Sequence, residues 1–157
     1  MSQQTDNELI TKTFISLIEE TFEKVGGIYL DGGTSLMETL AKVSAAEASR
    51  PITEKGTSIA SQVDHIRFYL SVLNDYIDGK WHDKVDWQES WKRKSVTDNE
   101  WNELRAQLKD DYVILLKHIN SIGDWNDEKR LGGAMAIIVH TAYHLGAIRQ
   151  IMGVVGN

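Results

Sequence analysis

The sequence contains no cysteine. That excludes disulfides, thiolate metal ligands and a cysteine nucleophile, so any metal must be held by nitrogen and oxygen. It contains one proline, Pro51, so little in the chain breaks helical backbone. It lacks a basic excess: 17 Lys and Arg stand against 23 Asp and Glu, a net charge of −6. A chain of that balance offers no footprint for a nucleic-acid phosphate backbone, and there is no polybasic run to draw it to an anionic membrane. The first residues, "MSQQTDNELI", are polar and acidic and lack the basic start of a secretory signal, so the expected location is cytoplasmic. The longest apolar segment, Leu131 to Val155, is interrupted by His140, His144, Arg149 and Gln150. It reads as a buried helix, and no membrane association is expected.

What is present fits an ordinary globular composition: 157 residues, 41% hydrophobic and 25% charged. That length suits one domain, 1–157, with one core. Apolar spacing is helical nearly throughout. Leu9, Ile10, Phe14, Leu17, Ile18 and Phe22 recur at three- and four-residue steps, which predicts a helix from Asp6 to Val25, stopped by Gly26 and Gly27. Ser35 with Glu38 reads as a capping box and opens a short helix to Ala46. A loop around Pro51 follows. Ile59, Val63, Ile66, Leu70, Leu73 and Ile77 mark a helix from Thr57 to Asp78. A second capping box, Thr97 with Glu100, starts a helix that reaches Ile122, and the last helix runs from Leu131 to Met152, ended by Gly153. No segment makes a convincing strand. The expected fold is all-α, a four-helix bundle with one short extra helix. Between the second and third long helices lies a polar, tryptophan-rich excursion, Trp81 to Trp91. It has two readings: an anchor that holds a long loop onto the helices, or one wall of a ligand pocket.

The chemistry-bearing residues are the histidines, and two of them are paired. In "IIVHTAYHLGAIRQIMG", His140 and His144 stand four residues apart, so their side chains share one face of a largely apolar helix. They are either core histidines with satisfied ring nitrogens or two arms of a metal site. His65, in "SIASQVDHIRFYL", sits close to the inward face of its helix and is the candidate third arm. His118 reads as a boundary residue and His82 as a solvated one. Ser61 and Gln62 precede His65 by four and three residues on its face, and Gln62 is suited to orient a metal-bound water or a substrate carbonyl. Tyr143, three residues past His140, offers either a packing aromatic or a phenol at the edge of the site.

Through "SLMETLAKVSAAEASRPITEKGTSIASQVDHIRFYL" and "HTAYHLGAIRQIM" the chain resembles the DinB/YfiT-like superfamily of metal-dependent proteins, and the likeness extends from the first helix to the last. The resemblance implies a four-helix bundle with one histidine on its second helix and an H-x-x-x-H pair on its last, here His65, His140 and His144. It implies a divalent transition metal (zinc, nickel, cobalt or iron) and a small-molecule substrate. Related activities include thiol S-transfer with low-molecular-weight thiols and maleylpyruvate isomerisation, so the substrate stays open. Three neutral imidazoles leave the ion its full charge and an open position, the pattern of a catalytic site. Such an ion turns a bound thiol into a thiolate for a transferase, or water into hydroxide for a hydrolase. A non-catalytic stress-response or binding bundle with a structural or vestigial ion is the competing reading. The small residues of the last helix, its all-round apolarity and the resemblance together lead to an expected homodimer.

Overall fold

The computed structural model describes residues 2–77, 79–80 and 82–156. Among them every regular element is helical: α1 (Ser2–Phe22), α2 (Leu36–Leu40), α3 (Ala45–Ala48), α4 (Ile59–Ile77), α5 (Asp98–Ser121) and α6 (Glu128–Val155), with a 3-10 turn at Glu89–Trp91. The four long helices close a ring of contacts in which α1 packs on α5, α5 on α4, α4 on α6, and α6 back on α1. Each therefore buries a stripe against two neighbours. Ile18 and Phe22 of α1, Ile66 and Leu70 of α4, Leu115 and Ile119 of α5, and Ile137 and Ile148 of α6 all lose their solvent exposure in this centre. The driving force is burial of these periodic apolar side chains, about 1.5–3 kcal/mol for each one fully buried.

The helix ends obey their local chemistry. Thr97 caps α5 as its sequence predicts: its side chain accepts from the Glu100 amide, and Glu100 reaches back to the Thr97 amide at 2.7 Å. The segment expected as one helix from Ser35 to Ala46 is instead two. α2 stops at Leu40, and Ser44 with Glu47 forms another capping box that restarts the chain as α3. The Glu47 carboxylate accepts from the Ser44 amide at 2.8 Å, so a fresh N-terminus competes with continuation. α1 starts earlier than expected and ends at Phe22 rather than Val25. α6 is longer at both ends. Asp127 caps it by accepting from the Arg130 amide, and the helix runs through Gly153 to Val155. Gly153 does not stop it because the buried stripe continues across it, from Ile151 before to Val155 after. That burial outweighs the roughly 1 kcal/mol that a glycine costs a helix.

α6 is long and apolar enough to cross a membrane by length and composition, with a mean hydropathy of 1.4 over its best 18-residue window, of which 39% is buried. Here it packs on α4 and α1. The sequence suggests burial on more than one side of this helix, but within the chain one side is covered. Met135, Val139, Tyr143 and Val154 lie exposed on the other.

Two side-chain networks fasten irregular chain to the helices. In the first, Glu20 points into the turn after α1, where its carboxylate accepts from the amides of Gly26, Ile28, Tyr29 and Leu30 at 2.6–3.1 Å. This ties "GGIYL" into a fixed loop. The second lays the tryptophan-rich excursion against α4. Ser58 and Ser61 donate to the carbonyls of Lys94 and Arg93 at 2.8 and 2.5 Å, and Ser49 bonds both the amide and the carbonyl of Val96. Of the residues expected in this region, Asp78 and Trp81 lie outside the described residues.

Candidate metal centre

The ring of helices places α4 beside α6, and that contact carries the histidines. His65 and His144 are buried, and His140 is half-buried. Their ring centroids lie 5.0 Å (His65–His140), 4.6 Å (His65–His144) and 4.4 Å (His140–His144) apart. One ring nitrogen from each falls within 4.8 Å of the others, close enough to share a metal ion. The i, i+4 spacing on α6 sets two arms, and helix adjacency supplies the third.

The hydrogen bonds around the rings decide which nitrogens are free. His65 Nδ1 lies 2.7 Å from the Ser90 hydroxyl, and that hydroxyl donates to the Trp87 carbonyl at 2.7 Å. His144 Nδ1 lies 2.6 Å from Gln62 Oε1, an acceptor, while the Gln62 amide nitrogen donates to Thr57 Oγ1 at 2.7 Å. In both rings Nδ1 is engaged, which leaves Nε2. In His140, Nε2 is buried without a hydrogen-bond partner. A buried imidazole nitrogen without a partner costs free energy. A shared cation satisfies it, so the residues fit a divalent metal held by three neutral nitrogens.

Burial keeps the rings neutral. It lowers the pKa of His65 below the usual histidine value. For His140, burial and then the charge of His65 bring the pKa to about 4. For His144, burial and then the charges of His140 and His65 do the same, again to about 4. A metal ligand must be deprotonated, and near neutral pH all three are.

Aromatic rings line the cluster. Trp91 stacks on His65 at 4.0 Å, and Tyr69 on His140 at 3.7 Å. Trp87 leans on Phe68 and Tyr69 at 5.8 and 5.7 Å. Trp87 and Trp91 thus anchor the excursion on α4 beside the histidine cluster, and neither lines the cavity described below.

The remaining candidates fall in different places. Gln62 holds the His144 ring rather than reaching toward an exchangeable ligand. Ser61 makes no hydrogen bond to a histidine; it binds the excursion through the Arg93 carbonyl. Tyr143 meets His144 edge-on at 5.0 Å but is 73% exposed. His118 sits on α5, bonded to Asn74 at 3.0 Å, and His82 pairs with Asp75 at 3.0 Å. Ser90 and Tyr69 are the site residues that a reading of the sequence misses. Tyr69 was recoverable, four residues past His65 on one helix face.

A cavity of about 830 Å³ opens along the same α4–α6 groove toward the start of α6. Its lining includes Leu73, eight residues past His65, and Ile137, three residues before His140. Along α6 it therefore begins about one turn from His140 and along α4 about two turns from His65, and no histidine lines it. Comparison with protein-family models, with curated proteins and with solved structures gave no match.

Proposed function

We propose that this chain is a metal-dependent enzyme of the DinB/YfiT type, a four-helix bundle whose His65, His140 and His144 hold one divalent transition ion. The observation that carries the reading is the set of three converging imidazoles, two with Nδ1 already engaged and the third with a buried, unpartnered Nε2. Zinc, nickel and iron all suit three neutral imidazoles. When bound, the ion supplies the positive charge that activates a thiol or a water molecule as a nucleophile.

The residues of the chain divide the remaining work. Gln62 and Ser90 hold two rings in place, and Tyr69 and Trp91 cover the faces of His140 and His65 and keep solvent from them. The cavity lined by Leu73 and Ile137 is suited to an apolar part of a small substrate, and its volume falls in the usual range for ligand sites. A low-molecular-weight thiol is the proposed co-substrate. The proposed setting is the cytoplasm, and the proposed assembly is a homodimer that covers the apolar face of α6.

The site is tested by metal analysis of protein purified without a histidine tag. One ion per chain is expected in the unmodified protein, and a loss in the His65→Ala, His140→Ala and His144→Ala variants. Sub-stoichiometric metal, or full retention in those variants, would overturn the assignment. Enzyme activity is tested by mixing the metal-loaded protein with a low-molecular-weight thiol and an electrophile, where conjugation above the rate of the metal-free protein is expected. Light scattering on a sizing column tests the dimer, and a monomer mass at micromolar concentration argues against it.

A further inference from the structure

Ser90 reaches the metal centre from outside the long helices. It is 2% exposed and belongs to the 3-10 turn of the tryptophan-rich excursion. Its hydroxyl has two neighbours at 2.7 Å, His65 Nδ1 and the Trp87 carbonyl. A carbonyl only accepts, so the single hydroxyl proton goes to Trp87. The same oxygen must then accept from His65, which places the ring proton on Nδ1. A neutral imidazole has one N–H, so Nε2 keeps its lone pair. The next residue, Trp91, lies flat on the same ring at 4.0 Å with 18° between the planes. Two successive residues of one irregular segment therefore set both the tautomer and the tilt of a histidine 25 positions away in sequence.

The other buried nitrogen pair is built differently. His144 is oriented by Gln62, which lies on α4, so that contact joins two long helices. Of the two oriented rings, His65 alone is held by a segment with no helix of its own beyond a single turn. The excursion in turn is fastened to α4 by Ser58 and Ser61, which hold the carbonyls of Lys94 and Arg93.

We infer that Ser90 is a positioning residue for the metal centre, and that docking of the excursion and metal binding are coupled through its bond to His65. The inference rests on the proposed metal site and adds a coupled element to it. Coupling is reciprocal: if an undocked excursion weakens metal binding by some factor, metal binding favours the docked form by the same factor. Loss of a partner that orients a ligating histidine typically weakens metal affinity about 10- to 100-fold.

The test uses the full chain and zinc as the probe. In metal-free protein, the ring 15N shifts of His65 should report the Nδ1–H tautomer, and Ser90→Ala should shift the tautomer toward a mixture. Competition titration should give zinc binding about 10- to 100-fold weaker for Ser90→Ala than for the unmodified chain. Amide exchange across residues 84–96 of the unmodified chain should slow on zinc saturation. A His65 ring protonated at Nε2 in the unmodified protein overturns the inference, and so does equal zinc affinity in Ser90→Ala. Exchange that is unchanged by zinc overturns the coupling without recourse to a variant, and so decides the matter even where Ser90→Ala does not fold. An unmodified chain that takes up no zinc overturns the metal site and this inference together. Zinc uptake that is normal and indifferent to Ser90 overturns this inference alone.

Discussion

Glu20 and the three histidines are all polar groups carried inward by long helices, yet the chain treats them differently. Around Glu20 four backbone amides converge, and both carboxylate oxygens are occupied. The group and its surroundings leave nothing unspent, and its effect is to fold a loop. Around the histidines two ring nitrogens are occupied and a third, His140 Nε2, is buried with no partner. A polar cluster that closes on itself is architecture. One that leaves atoms over points to something beyond the chain.

Substitutions can break this contrast. The largest effect is expected from His144→Ala, which should weaken zinc binding more than about 100-fold in a competition titration, beyond the range for partners of a ligand. The Glu20 loop should stay unaffected, as judged by amide exchange at residues 28–30. Glu20→Gln should do the reverse. An amide offers one accepting oxygen where the carboxylate offers two, so donors in the loop lose partners. A fall in Tm of roughly 5–10 °C by calorimetry is expected, with zinc affinity little changed. A shared effect of both variants on both readouts would erase the distinction.

Acid separates the two regions along the pH axis. His140 and His144 are lowered from 6.5 to about 4, so the unfolded chain binds more protons than the native one between those values. Their contribution is therefore fully present above pH 6.5 and is lost as pH falls toward 4. For Glu20, burial alone would raise the pKa, but the amides of Tyr29, Leu30, Ile28 and Gly26 outweigh it and bring it from 4.5 to about 2. Its contribution is present above pH 4.5 and is lost only as pH falls toward 2. Metal-free protein followed by circular dichroism should thus lose stability first in the histidine window and then in the carboxylate window. Bound zinc should be released in the first. A single loss confined below pH 4 would contradict the burial of the histidines. The smallest effect is expected from Tyr143→Ala, within about twofold in zinc affinity, because that side chain is 73% exposed.

The His140–His144 pair was legible in the sequence because it depends on helical period alone. Grouping His65 with it drew on the family resemblance and needs α4 to pack beside α6. His140 and His144 share a face by their spacing, and His65 is placed by the apolar row of its own helix. The all-helical class was legible for the same reason. What escaped depends on contacts between irregular chain and helix. Ser90 meets His65 only once the excursion has been laid on α4, and no periodicity marks it. Glu20 reads as one more acid on an amphipathic helix until the glycine-bound turn after it folds back. The break between α2 and α3 was signalled by Ser44 and Glu47, a second Ser-x-x-Glu pair so close to the first that the two read as one helix.

The adjacency of α4 and α6 has a further consequence for a chain without cysteine. His65 and His140 are 75 positions apart (140 − 65), so an ion held between them closes a long loop. Unlike a disulfide, such an ion would leave as the chain unfolds, so it would stabilise the native chain through its own binding, by about 2.7 kcal/mol at roughly 100 times its dissociation constant. The proposed centre would therefore also act as a removable rivet. With an ion bound it would join two distant parts of the chain, and it would be set by metal supply rather than by oxidation.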